Sequence, residues 1–450
     1  MSGALGGLPL ALELAASYVE EKRSTVSSYL ALLPKHQGKL LAPVADAFRI
    51  SVKELSAASL LLLRQLSFLA PDDVPRSLLM AGGDGELEFD EALAGLIRYS
   101  LVEVSGDGLF THRLLQSAVR AEVPDSRELL SGLTKLLNDA FGYRIQDLST
   151  WTDAARLYPH VLSLTDHAGC MTQAIESQGL LLNGAALYAL HVVSDLATAL
   201  RLAKGALEID EKVYGAEHPI VASLASNIGQ IFQAQGNLEG ALQYTRRALA
   251  IDEKVYGAEH PDVAIYASNI GAILNARGDL DEALRYTRRA LAIDEKVYGT
   301  EHPHLAICAN NIGMILKAQG DLEGALQYAR RALAIDEKVY GAEHPKVAIR
   351  ANNIGQILQD QADLDGALRY SRRALAIDEK VYGAEHPNVA RDANNIGLIL
   401  KAQGDLDGAL KHTRRALTIL QKAFGPDNPS TRTVAGNLAR LEQQQKAAGA

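Results

Sequence analysis

Five Glu-His-Pro triplets are the first residues whose types suggest chemistry. They end at Pro219, Pro261, Pro303, Pro345 and Pro387, each 42 residues from the next. A histidine beside a carboxylate can ligate a metal or carry a proton. The spacing opposes metal: packed helices lie about 8–10 Å apart, so equivalent histidines on stacked units stand too far apart to share one ion at ~2.1 Å. Capping is the better reading, because proline is tolerated in a first helical turn. His304 and Cys308, four apart, bring no third ligand. No Ser/His/Asp or Cys/His set recurs at a useful spacing. Gly38-Lys39 lacks the glycine and the Ser/Thr of a phosphate-cradling loop. The expectation is a chain that is not an enzyme and uses no metal or cofactor.

Asparagine repeats with the same step, at Asn227, Asn269, Asn311, Asn353, Asn395 and Asn437. Counted from the proline at about 100° per residue, Val/Leu at position 2, Ala at 3 and 6, Ile at 9, Gly at 10 and Leu/Phe at 13 form one apolar stripe. Positions 1, 4, 5, 8 and 11 fall opposite, with asparagine at 8. Asparagine is a mediocre former of helix interiors, so on a solvated face it carries no folding benefit. Variation shares that face: Ile220, Asp262, His304, Lys346 and Asn388 at position 1; Leu224, Tyr266, Cys308, Arg350 and Asp392 at position 5. Constant amides beside variable neighbours suit an extended peptide, whose backbone every ligand shares. The early units offer Ile220, Leu224, Ile265 and Tyr266, and the later ones Lys317, Lys346, Arg350, Arg391 and Lys401. That pattern predicts a ligand apolar at one end and acidic at the other. The Arg-Arg pairs of the second helix (Arg246-Arg247 and its repeats) are balanced by the following Ile-Asp-Glu-Lys and read as a solvated face.

The elements that position these residues follow from the period. In the unit from Gly257 to Gly299, Pro261 opens a helix A that ends near Arg277. Gly278 stops it, and Asp279 opens a helix B, with Glu282 completing a capping box. Helix B runs to Tyr298. Such pairs bury their apolar faces only by stacking, which gives an all-α solenoid. A worn unit containing Asn183 and Asp195 precedes the clean ones. The paired helices resemble tetratricopeptide repeats. The 42-residue length with Tyr-Gly-x-x-His-Pro and Asn-Asn-Ile-Gly is similar to the kinesin light chain type, over about residues 177–440. That resemblance implies a right-handed superhelix whose A helices line a concave groove and hold a peptide through the asparagines.

The front third has no such period. Gly7-Leu8-Pro9-Leu10-Ala11-Leu12 opens a helix, residues 48–100 read as helical, and residues 101–111 read as a β-hairpin turning at Ser105-Gly106-Asp107-Gly108. Helices followed by a small hairpin suggest a winged helix. From Arg49 to Arg120 there are 7 Lys/Arg and 10 Asp/Glu, which argues against a DNA reader. These residues resemble the end of an NB-ARC-type (STAND) signalling NTPase. The family's proline then falls on Pro9, and its nucleotide-contacting histidine on His112 in Thr111-His112-Arg113. With no P-loop in the chain, the resemblance implies an ATPase core supplied upstream.

Composition narrows the remainder. Net charge is −9, so no basic excess recruits nucleic acid or an anionic membrane. Two cysteines, Cys170 and Cys308, make neither a disulfide framework nor a zinc set, which points to the cytoplasm. The expected organisation is a helical remnant at 1–45, a winged-helix-like segment at 46–125, a helical linker at 126–176, the solenoid at 177–440 and a polar tail at 441–450. The function expected is protein or peptide binding, as the sensing arm of a signalling NTPase. The alternative is a self-assembly or autoinhibitory scaffold.

Overall fold

The computed structural model describes residues 9–32, 50–80, 85–123, 125–145, 147, 149–167 and 176–448. Gly38-Lys39 and Cys170 lie outside them. The chain divides into two units, Met1–Gln235 and Gly236–Ala450. Among the described residues no helix is long and apolar enough to cross a membrane.

The first unit opens with α1 (Pro9–Glu21) and α2 (Val26–Leu32). Next come α3 (Ala57–Phe68), β1 (Val74–Pro75), α4 (Arg76–Met80) and α5 (Glu86–Arg98). The hairpin β2 (Glu103–Ser105) and β3 (Gly108–Phe110) is followed by α6 (Arg113–Ala121). The expected hairpin is present. Residues 48–100 are not helical throughout, because Val74–Pro75 pairs with Leu109 and Gly108 to give an antiparallel sheet ordered β1-β3-β2. A two-residue strand has no periodicity to read. Leu63, Leu66, Leu96, Leu109 and Leu115 form the core beneath the sheet. Gln116 Nε2 donates to the carbonyls of Leu66 (2.8 Å) and Leu69 (3.1 Å), closing the end of α3.

Helices α7 (Arg127–Ala140) and α8 (Ser149–His167) follow. Arg156 on α8 clasps the hairpin, bonding Asp73 at 2.8 Å and Asp107 at 2.6 Å. Then α9 (Glu176–Tyr188) and α10 (Leu196–Tyr214) form the worn pair, with α11 (Pro219–Ala234) against α10. A π-helical stretch, Ala189–Val193, lies between Asn183 and Asp195, which stand two residues further apart than Asn227 and Asn237.

The second unit is a stack of helix pairs. It comprises α12 (Leu238–Tyr256), α13 (Pro261–Arg277), α14 (Leu280–Tyr298), α15 (Pro303–Gln319), α16 (Leu322–Tyr340), α17 (Pro345–Asp360), α18 (Leu364–Tyr382), α19 (Pro387–Gln403), α20 (Leu406–Phe424) and α21 (Pro429–Ala448). The last helix takes in residues 441–448. Each A helix crosses its own B helix closely at the glycine of position 10. A Cβ on Gly271 would meet the Ala283 carbonyl at 3.1 Å and Thr287 Oγ1 at 2.1 Å. Each A helix also packs on the preceding B helix, and α13, α15, α17 and α19 touch in succession. Neighbouring A helices in contact place the A side on the inside of the stack.

Capping follows the expected scheme with one exception. The imidazole Nδ1 of His260, His302, His344 and His386 accepts from the backbone N–H two residues on, at 3.2–3.3 Å. Each ring stacks on the tyrosine four residues earlier. At the turns, Asp321, Asp363 and Asp405 accept from Gly324, Gly366 and Gly408 at 2.9 Å. Asp279 does not cap: its carboxylate takes Arg277, while Glu282 takes Arg246 and Arg285. The expected capping box is therefore absent, its two acids being drawn to arginines.

Gly278, Gly320 and Gly404 end their A helices at φ of 92°, 86° and 83°. The matching residue after α17 is Ala362, at φ 63°. A left-handed alanine costs roughly 1–2 kcal/mol. Ala362→Gly is expected to raise stability by about 0.5–1 kcal/mol after glycine's own entropy cost, checked by urea denaturation.

Candidate functional site

In helix A the apolar stripe falls where the periodicity puts it, but the exposed arc is narrower than a single helix pair would leave. Each A helix is covered by its own B helix, the preceding B helix and the neighbouring A helix. Position 5 lies under that cover. Leu224, Tyr266, Cys308, Arg350 and Asp392 are buried, between 0 and 8% exposed. They are not groove residues, contrary to the expectation from helical angle.

In the second unit they meet a recurrent buried group. The aspartate of each Ile-Asp-Glu-Lys, expected to be solvated, is buried at Asp252, Asp294, Asp336 and Asp378. Fourteen residues on, position 5 answers it. Burial pushes Asp252 up to about 6, with Tyr266 bonded to it. Cys308 Sγ lies 3.7 Å from Asp294 Oδ2, and burial pushes the thiol up to about 12. Arg350 Nε donates to Asp336 Oδ2 at 2.8 Å in a buried pair. Asp378 faces Asp392, with Arg391 reaching Asp378 Oδ2 at 3.2 Å and Asp392 Oδ1 at 3.1 Å. Burial and like charge hold that carboxyl pair above the ordinary carboxylate range. The variation at position 5 is thus a choice of partner for a constant buried acid.

The asparagines also have structural partners. Asn311 Nδ2 donates to Ser268 Oγ (3.3 Å), Asn353 Nδ2 to Asn310 Oδ1 (2.7 Å) and Asn437 Nδ2 to Asn394 Oδ1 (3.2 Å). In the first unit Asn227 Nδ2 donates to Asn183 Oδ1 at 3.0 Å. Position 8 of one A helix is therefore tied to position 7 of the one before, which is the folding benefit the helical-wheel argument lacked. The Ser-Asn and Asn-Asn pairs in the sequence carried that signal. Asn395 breaks the row, because Asn352 Nδ2 turns instead to Asp392 Oδ1 at 2.7 Å. A neutral hydrogen bond contributes about 0.5–1.5 kcal/mol, and alanine returns part of it through helix propensity. Asn311→Ala with Asn353→Ala is expected to lower the stability of the solenoid by about 1–2 kcal/mol, read as a shift of its urea midpoint.

Helix B is constant for a similar reason. Arg289, Arg373 and Arg415 bond Glu253, Glu337 and Glu379 of the preceding repeat at 2.5 Å, and Arg331 bonds Glu295. Lys296, Lys338, Lys380 and Lys422 form a second rail to Glu259, Glu301, Glu343 and Glu385. Single exposed pairs contribute little, but two rails of them restrict what helix B can carry.

The expected basic wall is not formed. Lys317 pairs with Asp360 at 3.1 Å, Arg350 is buried against Asp336, and Arg391 serves Asp378 and Asp392. Lys346 Nζ lies 2.8 Å from Tyr340 Oη and over its ring. Lys401 is half-buried in α19, and His304 packs edge-on against Tyr298 and His302. With Lys317, Arg350 and Arg391 paired to carboxylates, Lys346 and Lys401 are what is left of the wall to draw an acidic end of the ligand.

What the inner side presents is position 4. Ile265, Ile307 and Ile349 are 39–42% exposed, and Arg391 takes the next place. Beside them run half-buried Asn269, Asn311 and Asn353, then Ala272, Met314 and Gln356. Of this isoleucine row the sequence reading singled out Ile265 alone.

In the front segment, Pro9 opens α1 and His112 caps α6, its Nδ1 accepting from Leu114 N–H at 3.2 Å. The cleft at His112 is lined by Glu13, Asp72 and Glu103, a setting that repels phosphate. Among the described residues no group of three or more His, Cys, Asp or Glu side chains is placed to hold a metal.

The tetratricopeptide repeat profile matches residues 179–254, 221–296, 262–338, 309–379, 346–419 and 393–448. A domain of unknown function (DUF7779) matches residues 50–128. No curated protein matches. Among solved structures, BtubC (BKLC) from P. vanneervenii is similar at 24% identity and a TM-score of 0.45, covering 52% of this chain and 94% of that one. The nearly identical TPR-like repeats of the kinesin light chain type from Podosopora anserina give 21% and 0.41, over 46% and 99%. A STAND protein with a tetratricopeptide repeat sensor from Pyrococcus horikoshii gives 15% and 0.44, over 97% and 69%.

Proposed function

The chain belongs to the tetratricopeptide repeat family, and we propose on that footing that it is a protein-binding module holding an extended peptide along the A helices of its second unit. The observation that carries the reading is the exposed isoleucine row beside the half-buried asparagines. Val255, Val297, Val339 and Val381 at the ends of the B helices are as exposed, so what distinguishes the isoleucines is that they adjoin the asparagines on the A side. The peptide-contacting set is therefore revised: Ile265, Ile307, Ile349, Asn311 and Asn353, with His304, Lys346 and Lys401 at the margins. Tyr266, Arg350 and Asp392 act beneath the surface.

On the resemblance of the front segment we place this module as the sensing arm of a signalling NTPase in the cytoplasm, with residues 46–125 as its winged-helix-like part. Pro9 and His112 are where a nucleotide-contact remnant would fall. Binding rather than catalysis is the reading throughout.

The test is a phage-displayed random peptide library panned against the full chain, with hits mapped by a benzophenone amino acid placed at Met314. Hits that crosslink at position 314 and are lost on Ile307→Arg support the groove. Hits that crosslink elsewhere only, or a mass that doubles in light scattering without peptide and masks the site, favour the self-assembly alternative.

A further inference from the structure

We infer that the groove selects a chain with an apolar side chain at every third residue, read by Ile265, Ile307 and Ile349; this rests on the groove reading above. Hydrogen bonds between Asn311 and Ser268, and between Asn353 and Asn310, hold α13, α15 and α17 side by side. Helices in such contact have axes about 8–10 Å apart, so the isoleucines form rungs at that interval. A chain in the polyproline II conformation advances about 3.1 Å per residue with three residues per turn, so side chains three apart face the same way and span one rung. Two residues fall short of a rung and four overshoot it.

The asparagines select the same kind of occupant. Their Nδ2 groups are bonded to the neighbouring helix, and the polar atom that remains on each half-buried amide, Oδ1, is an acceptor. An acceptor row asks for backbone N–H donors. An extended peptide carries them along its length. A docked helix has its own N–H groups bonded internally, and a second copy of this solenoid offers only helix surfaces. The row also has an end. After Ile349 position 4 is Arg391, held by Asp378 and Asp392. The ligand therefore carries three apolar residues in register, followed by a polar one.

The test uses the full chain and three fluorescein-labelled peptides of one composition, each with three leucines in a serine/threonine background. The leucines are spaced by two, three or four residues. Anisotropy is expected to show the three-spaced peptide binding about tenfold more tightly than either of the others. Ile265→Ser, Ile307→Ser and Ile349→Ser together should abolish that preference, with helical circular dichroism unchanged because the side chains are exposed. Equal binding of all three peptides, crosslinked at Met314, overturns the period while leaving the groove reading in place. Failure of all three to bind overturns the period as well, and the groove then stands or falls on the library hits alone.

Discussion

Arg350→Leu is expected to destabilise the second unit by about 3–5 kcal/mol near pH 8, the cost of leaving a buried charge unpaired. Arg350 and Asp336 are both buried, and Arg350 Nε donates to Asp336 Oδ2 at 2.8 Å. Leucine fills much of the space but leaves Asp336 facing apolar neighbours, with its Oδ1 already lacking a partner. The chain contains a natural precedent in its first unit. There the residue fourteen beyond Asp210 is Leu224, and burial pushes Asp210 up to about 6. Asp336 in the variant should behave likewise and take up a proton as the pH falls. The loss is therefore largest at high pH and shrinks as the pH falls. Arg350→Leu combined with Asp336→Asn should recover most of the stability at pH 8, since the charge and its partner are removed together. Urea titrations at pH 5 and 8, followed by circular dichroism, measure all of this. A single variant as stable as the parent at pH 8 would mean that the pair is solvated and the buried-acid reading is wrong.

How much of this was legible in the sequence depends on which neighbours a residue has. The repeat, its helix boundaries and the histidine caps were legible because they are local: Pro261, Gly278 and His260 lie within a turn of what they open, terminate or cap. The face of Arg350 was not, because a helical wheel describes one helix, and position 5 is covered by the preceding B helix. The same limit hid the aspartates. Asp336 sits in Ile-Asp-Glu-Lys, which reads as surface until the next A helix is laid over it. Constancy also had two sources. Asn311 and Asn353 repeat because each holds the helix before it, and Glu253 and Arg289 repeat because they pair across repeats. Neither constancy required a ligand. What survives as a signal for binding is the exposed isoleucine, a costlier residue to leave in water than asparagine.

The paired carboxyls of Asp378 and Asp392 should make stability fall as pH rises, the reverse of ordinary acid denaturation. Both are buried, one arginine serves the two, and Asp378 Oδ1 and Asp392 Oδ2 have no partner. Burial raises both, and the charge of Asp392 raises Asp378 further; Arg391 and the Asn352 amide pull Asp392 back only in part. The remaining titratable neighbour, Tyr382, is itself pushed up by burial and by Asp378, so it supplies no counter-charge. A carboxyl with a folded pKa above its unfolded value near 3.9 binds protons more tightly when folded. The stability it contributes is fully present below that unfolded value and is lost as pH rises through the raised one. Asp392→Asn keeps the shape and the oxygen that accepts from Asn352 and Arg391, and it removes the like charge. The variant is expected to be more stable than the parent at pH 8 by roughly 1–3 kcal/mol, one or two pKa units' worth, with the gain vanishing toward pH 4. Parallel unfolding curves across pH 4–8 decide it. If parent and variant keep a constant difference over that range, the two acids do not share a proton and Arg391 alone neutralises them.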